Sequence, residues 1–190
     1  MALTACHGSA PGTGTGEISV RTVTKSDPAT PDTPATGALA ASGIDHVVTV
    51  RGQVGSLEEA AAARGLEPWQ ILKTLVVRRA DDDFVLVLVP GDRQISWPKL
   101  RELLGVSRLS MPDKEVARAA TGYERATITP FGSLPSPAGT PWPVIADALV
   151  ASRPGPVSIG AGAHGVAASV EPADLVAVLA ADVADVTDPL

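Results

Sequence analysis

Leu72-Lys73-Thr74-Leu75-Val76-Val77-Arg78-Arg79 and Phe84-Val85-Leu86-Val87-Leu88-Val89, separated by Ala80-Asp81-Asp82-Asp83, decide the fold class of this 190-residue chain. Each run is dense in aliphatic and β-branched side chains, and a short polar turn between two such runs is a hairpin. Pro90 follows the second run at once and limits it, because proline cannot donate to a ladder. Outward from the hairpin, strand and helix signals mix without regular alternation. Residues 46–50 read as a strand. Ser56 and Glu59 form a capping-box pattern ahead of a helix through Arg64, which Gly65 is placed to end. Ser96 caps a helix to Leu104, with Pro98 in its first turn and Gly105 as its stop. Asp113 starts another helix, ended by Gly122. Residues 126–129, 143–146, 157–159 and 165–170 read as short strands, 172–180 as a last helix and 183–186 as a last strand. The expected architecture is a single α+β domain, with short helices flanking a mainly antiparallel, barrel-like sheet.

That domain is expected over residues 42–190. Residues 1–41 read as a disordered tail rich in Gly, Thr, Pro, Ala and Ser, with too little apolar surface to offset the entropy of ordering. Within it, residues 18–23 carry a weak strand signal. Hydrophobic residues make up 45% of the chain and aromatics 3%, so the core must be built from Val, Leu, Ile and Ala. No apolar run approaches the roughly 20 residues of a membrane span, and no basic start leads into an apolar run as in a secretory signal. Cys6 has no partner within the chain, which fits a reducing cytoplasm. A cytoplasmic protein without membrane contact is expected.

The net charge is −6, unevenly spread. Residues 64–125 hold eleven Lys/Arg against nine Asp/Glu, whereas residues 126–190 hold one Arg against six acids. A positive patch in the middle third is compatible with these counts, as is an evenly solvated surface. A nucleophilic triad needs Ser or Cys with a positioned His and an acid. The one cysteine lies in the tail, His46 and His164 are the two histidines outside it, and no G-x-S-x-G turn is present. C-x-x-C and H-x-x-x-H are also absent, so neither a triad hydrolase nor a zinc site is expected.

Gly160-Ala161-Gly162-Ala163-His164-Gly165 fits G-x-G-x-x-G, yet residues 166–170 read as strand, whereas a dinucleotide site needs a helix to start inside the motif. A Gly-rich turn that lets backbone approach a neighbour or a ligand is the better reading. Lys73 stands in an otherwise apolar strand, so it either snorkels to an edge or supplies a compact cation to a pocket. Between Thr121-Gly122-Tyr123 and Pro130-Phe131-Gly132 a helix stop leads into a bend. There Pro130 holds Thr129 extended, either as a plain turn or as a rigid grip on a small ligand.

Taken in order, Lys73-Thr74-Leu75, Thr121-Gly122-Tyr123 to Pro130-Phe131-Gly132, Ser158-Ile159-Gly160-Ala161-Gly162 to Gly165, and Pro172-Ala173-Asp174-Leu175 resemble the YbaK/ProX family of aminoacyl-tRNA deacylases. The resemblance runs from about Ile44 to Asp188. It implies an α+β fold with a mixed, barrel-like sheet and a trans-acting, metal-independent deacylase without cofactor that hydrolyses the ester of mischarged tRNA. The partners implied are the acceptor end of aminoacyl-tRNA and an aminoacyl-tRNA synthetase. Lys73 matches the family's functional lysine. Ala126, Thr127, Ile128, Thr129, Pro130, Phe131 and Gly132 match the loop that sizes the aminoacyl group, and Gly160, Gly162, His164 and Gly165 match the pocket wall. Attack is expected from water or from the substrate's own hydroxyl or thiol. The chain departs from the pattern at Ala126, where the family's G-x-x-x-P glycine stands. Ala167 and Arg51 fall near an Asp and a Tyr of the cysteine-specific branch. Two further readings fit the same residues: a non-catalytic module binding tRNA ends or a synthetase, and a small-ligand regulatory domain.

Overall fold

The computed structural model describes residues 21–23, 30–50 and 56–190. Cys6, residues 18–20 and Arg51 lie outside them. In chain order, β1 (Arg21–Val23), α1 (Pro34–Ser42), β2 (His46–Val50) and α2 (Leu57–Ala62) lead through a 3-10 turn at Pro68–Gln70 into β3 (Leu72–Ala80) and β4 (Asp83–Pro90). Then follow β5 (Arg93–Ile95), α3 (Trp97–Leu104), α4 (Lys114–Thr121), β6 (Val144–Asp147) and α5 (Ala148–Ser152). The last elements are β7 (Val157–Gly160), β8 (Val166–Val170), α6 (Pro172–Val178), β9 (Asp182–Ala184) and β10 (Thr187–Pro189).

The expected hairpin forms, with Leu72 opposite Pro90 and Arg78 opposite Phe84. Its second strand is an unbroken apolar run because both of its faces are covered. Phe84, Leu86 and Leu88 face a core shared with Leu39, Val48 and Ile159, while Val85, Val87 and Val89 pack with Leu100, Ile145 and Val186. Two of the three expected side-chain caps form, whereas the Ser96 side chain makes no cap bond. Ser56 accepts the Glu59 N–H at 3.1 Å, Asp113 accepts the Val116 N–H at 2.8 Å, and Gly105 and Gly122 end their helices in the left-handed conformation.

Three expectations are corrected. First, the sheet is mixed but not a closed barrel. The strands form β1-β2-β8-β7, β3-β4-β6-β9 and β5-β10, with β4-β6 and β6-β9 parallel. Among the described residues one bridge, Ile71 to Ser158, joins the edges of the two four-stranded sheets. Beyond it β3 and β7 part, and the outer edge of β3 meets another segment again at Arg78, bridged to Ser110.

Second, residues 34–41 are not tail. They begin α1, where Leu39 and Ala35 are fully buried. Thr33 and Thr36 cap it reciprocally, with Thr in the place usually taken by Glu or Gln, so the box escapes a composition-based reading. Ala35 and Leu39 are four apart and share one helix face, enough to anchor the helix once a partner surface exists. Third, residues 126–129 are not a strand, and the strand expected over 183–186 ends at Ala184, with β9 (Asp182–Ala184) and β10 (Thr187–Pro189) on either side of a break. Arg125 to Thr127 is a turn, closed by the Thr127 N–H on the Glu124 carbonyl at 3.0 Å. The last run is divided at Asp185 and Val186. The Val186 N–H donates to the buried Asp147 carboxylate at 3.1 Å, and its carbonyl accepts from Ser96 N at 2.8 Å.

Candidate functional site

Where β3 parts from β7 the gap is not filled. It opens into a cavity of about 780 Å³, lined along β3 from Leu72 to Val76 and on the opposite side by Ser158, Gly160, Val166 and Ala167. Leu57, Ala60 and Arg64 of the α2 region form one wall, and Met111 to Lys114 with Ala117 form another. Arg125, Ala126, Ile128 and the turn from Ala163 to Gly165 complete it. The unclosed barrel and the site are thus one feature. The volume suits a ligand of nucleoside or drug size. Charge on the lining is lopsided: Arg64, Lys73, Lys114 and Arg125 against Asp113, in a chain of net charge −6. Such a rim favours an anionic ligand.

Of the residues singled out in the sequence, Lys73, Ala126, Ile128, Gly160, His164 and Gly165 line the cavity. Thr127, Thr129, Pro130, Phe131, Gly132 and Gly162 do not; they stand behind it. Their place is fixed by α1. A side chain at Gly132 would put its Cβ 2.3 Å from the Pro34 carbonyl oxygen, and one at Gly162 would meet the Tyr123 ring at 2.9 Å. The Thr33 hydroxyl donates to the Ala161 carbonyl at 2.7 Å, and the Tyr123 hydroxyl donates to the Phe131 carbonyl at 2.7 Å. Thr129 is fully buried. The Gly-rich turn therefore serves backbone approach, as expected, and its neighbours are α1, Tyr123 and the backbone at Thr127 and Ile128.

Lys73 resolves its two readings. It does not run to open water. Half-buried, its ammonium donates to the carbonyls of Gly91, at 3.1 Å, and Arg93, in the turn that joins β4 to β5. Burial pushes its pKa below the usual lysine value, and the nearby Asp92 carboxylate partly offsets that. Two of the three ammonium donors are engaged by the Gly91 and Arg93 carbonyls, and Lys73 borders the cavity.

Ala126 lies at φ +70°, the left-handed region that suits glycine. His164 is half-exposed, with Nε2 3.8 Å from Glu124. Among the described residues no three His, Cys, Asp or Glu side chains gather as a metal would require. The sequence reading found the α2 helix but not its place in the cavity wall, and it missed the lining role of the 111–114 segment and the Asp92–Arg153 pair, 61 residues apart in the chain. Pro90-Gly91-Asp92 is a turn signal, but nothing local says what Asp92 meets.

Residues 52–178 match the model of a family described as the aminoacyl-tRNA editing domain. A proline--tRNA ligase of Desulforamulus reducens is 35% identical over 75 residues, 40% of this chain and 13% of the ligase. That of Desulfotalea psychrophila is 39% identical over 82 residues, 43% of this chain and 13% of the ligase. The chain therefore matches a small part of the length of these curated relatives. Among solved structures, one described as "a putative trans-editing enzyme for prolyl tRNA synthetase" superimposes with TM-score 0.69 at 26% identity, over 84% of this chain and 99% of that one. The hypothetical protein APE2540, at 24% identity and TM-score 0.73 over 82% of this chain and 100% of its own, shares the fold. No helix among the described residues is long and apolar enough to cross a membrane.

Proposed function

The chain belongs to the aminoacyl-tRNA editing domain family, and from that premise we propose that it is a trans-acting deacylase. It hydrolyses the ester between a wrongly attached amino acid and the terminal adenosine of tRNA. The observation that carries the reading is the cavity with a fixed, half-buried ammonium on its wall and a cationic rim. An ammonium N–H that reaches into a partly dry site can hold a substrate carbonyl or phosphate oxygen as charge develops on it. The Arg125 to Ile128 turn and the Gly160 to Gly165 loop bound the space for the aminoacyl group. Arg64, Lys114 and Arg125 offer charge to the phosphates of the acceptor end. Attack comes from water or from a hydroxyl or thiol of the substrate, with neither a metal nor a protein nucleophile in the scheme. The likeness to a solved protein named as a trans-editing enzyme, over nearly all of that chain, supports action in trans, in the cytoplasm where charged tRNA is found, with a prolyl-tRNA synthetase as a natural partner.

The test is a panel of mischarged tRNAs, including Ala-tRNA(Pro), Cys-tRNA(Pro) and Ser-charged species, with ester loss followed beside a Lys73→Ala control. Rapid loss of one species, slowed to a small residual rate in the control, is expected. A folded protein that hydrolyses none of them yet binds tRNA in a salt-sensitive way is a binding module instead.

A further inference from the structure

The Lys73 ammonium is held by carbonyls rather than by a carboxylate, so its position depends on whatever fixes the Gly91 to Arg93 turn. Three supports converge there. The Asp92 carboxylate forms a bidentate pair with the Arg153 guanidinium, at 2.7 and 2.8 Å. That guanidinium also stacks over the Trp69 ring at 5.3 Å, and Trp69 sits in the 3-10 turn that leads directly into β3 and Lys73. Gly91 lies so close to that same turn that a Cβ would fall 2.2 Å from the Pro68 carbonyl oxygen. Gln70, the last residue of the turn, donates to the Pro156 carbonyl at 2.7 Å, which ties it to the loop carrying Arg153. The remaining charge at the turn, Arg93, is turned away to Thr187 on β10, at 3.0 and 3.1 Å.

We propose that Asp92 and Arg153, stacked on Trp69, form a brace that positions the Lys73 ammonium in the cavity, and that this pair is a determinant of turnover without touching substrate. The role rests on the deacylase reading for its effect on turnover, but not for its effect on Lys73. A bidentate Arg–carboxylate pair is the geometry that fixes orientation as well as charge. Its members lie on two segments that the cavity lining does not include, so they act through Lys73 or not at all. The pair also sets the field at the ammonium: Asp92 alone favours the charged form, and Arg153 neutralises Asp92.

The experiment compares Asp92→Asn, Arg153→Gln and Arg153→Lys in the full chain, alone and with Lys73→Ala. Deacylation kinetics are one readout. The titration of the Lys73 ammonium, followed by NMR of the isotopically labelled side chain, is the other. Asp92→Asn should lower kcat about tenfold with KM nearly unchanged, since small misplacements of a positioned group act on the reacting geometry. Arg153→Lys, which keeps charge but cannot bind in a fork, should recover part of the loss. In the Lys73→Ala background neither change should lower activity further.

The titrations should move in opposite directions: down in Asp92→Asn, where Arg153 is left unbalanced, and up in Arg153→Gln, where Asp92 is. Equal losses with and without Lys73, or titrations that stay put or move together, overturn the brace. If the wild-type chain hydrolyses no charged tRNA, the enzyme reading fails, but the two titrations still decide whether the pair governs Lys73.

Discussion

The two walls of the cavity are built on opposite principles. On the β3 side the ammonium of Lys73 is clamped by two carbonyls, and the turn that supplies them is pinned by a bidentate ion pair, a stacked ring and a close backbone contact. On the loop side, the turn from Arg125 to Thr127 is exposed at its tip and carries a left-handed alanine. Its order comes from behind, where α1 presses on Gly132 and Tyr123 holds the Phe131 carbonyl. On the proposed deacylase reading, a rigid wall suits the group that would meet developing charge, because preorganisation is what makes such a contact worth more than water. A wall held only at its back can differ at its tip without disturbing the fold. The contrast suggests that chemistry resides on one wall and the choice of amino acid on the other, and substitutions can break that division.

The heaviest blow to the loop wall should come from Gly132→Ala. The added Cβ meets backbone atoms of Pro34 and Ala35 at 2.3 to 2.9 Å, and alanine must also adopt φ +64°. Left-handed backbone and overpacking together should cost about 3 kcal/mol in a urea melt. A loss below about 1 kcal/mol would show that α1 does not hold the loop. The β3 wall is tested by Lys73→Arg. The charge is kept, but a planar fork cannot take the place of a compact ammonium between two carbonyls of one turn. Deacylation should fall about a hundredfold, equivalent to about 2.7 kcal/mol of transition-state stabilisation, with an unchanged melt. If arginine restored the rate, charge rather than placement would be the requirement.

How much of this is legible in sequence follows from how local each signal is. The hairpin, the caps at Ser56 and Asp113 and the glycine stops at Gly105 and Gly122 depend on neighbours a few residues away, and they read correctly. Lys73 is legible as an anomaly, a cation in an apolar strand, although the sequence leaves open where it points. α1 escapes because its cap uses Thr36 in place of an acid or amide and its apolar face is mostly alanine; its stability comes from Tyr123, Gly132 and Gly162, more than 80 residues away. The opened barrel escapes for a related reason. Strand propensity tells that β3 and β7 exist, but not that, among the described residues, their edges are bridged only at the start of β3, between Ile71 and Ser158. The site lies beyond that bridge.

Tyr123→Phe probes the loop wall more gently. It removes the 2.7 Å bond to the Phe131 carbonyl and leaves that carbonyl unpaired in the core, at a cost of about 1 kcal/mol at neutral pH. The sign with pH is fixed by burial, which pushes the phenol pKa up to about 12. The folded state keeps the proton while the unfolded chain releases it from about pH 10. The wild-type chain therefore loses stability as pH rises from about 10 through 12, and the phenylalanine variant lacks that loss. The difference between the two melts should be constant below pH 9 and narrow above pH 10. A difference that does not change with pH would mean that Tyr123 meets water when folded.

Ala126→Gly is the smallest change and the one that separates the walls most sharply. At φ +70° alanine bears a strain of about 1 kcal/mol that glycine does not, while glycine adds about 0.5–1 kcal/mol of unfolded-state entropy. The two nearly cancel, so stability should move by less than about 0.5 kcal/mol, and in the stabilising direction if at all. The methyl group, however, lines the cavity. Its removal should let a larger aminoacyl group enter, and a pocket difference of about one methylene changes discrimination by about tenfold. The measurement is the ratio of kcat/KM for a larger and a smaller aminoacyl-tRNA, in wild type and variant. A rise in that ratio with Lys73 titrating as before would place size selection on the loop and leave the chemistry untouched on β3. An unchanged ratio would mean that the aminoacyl group lies elsewhere in the cavity, toward Leu57 and Met111, and that the alanine is tolerated there because nothing presses against it.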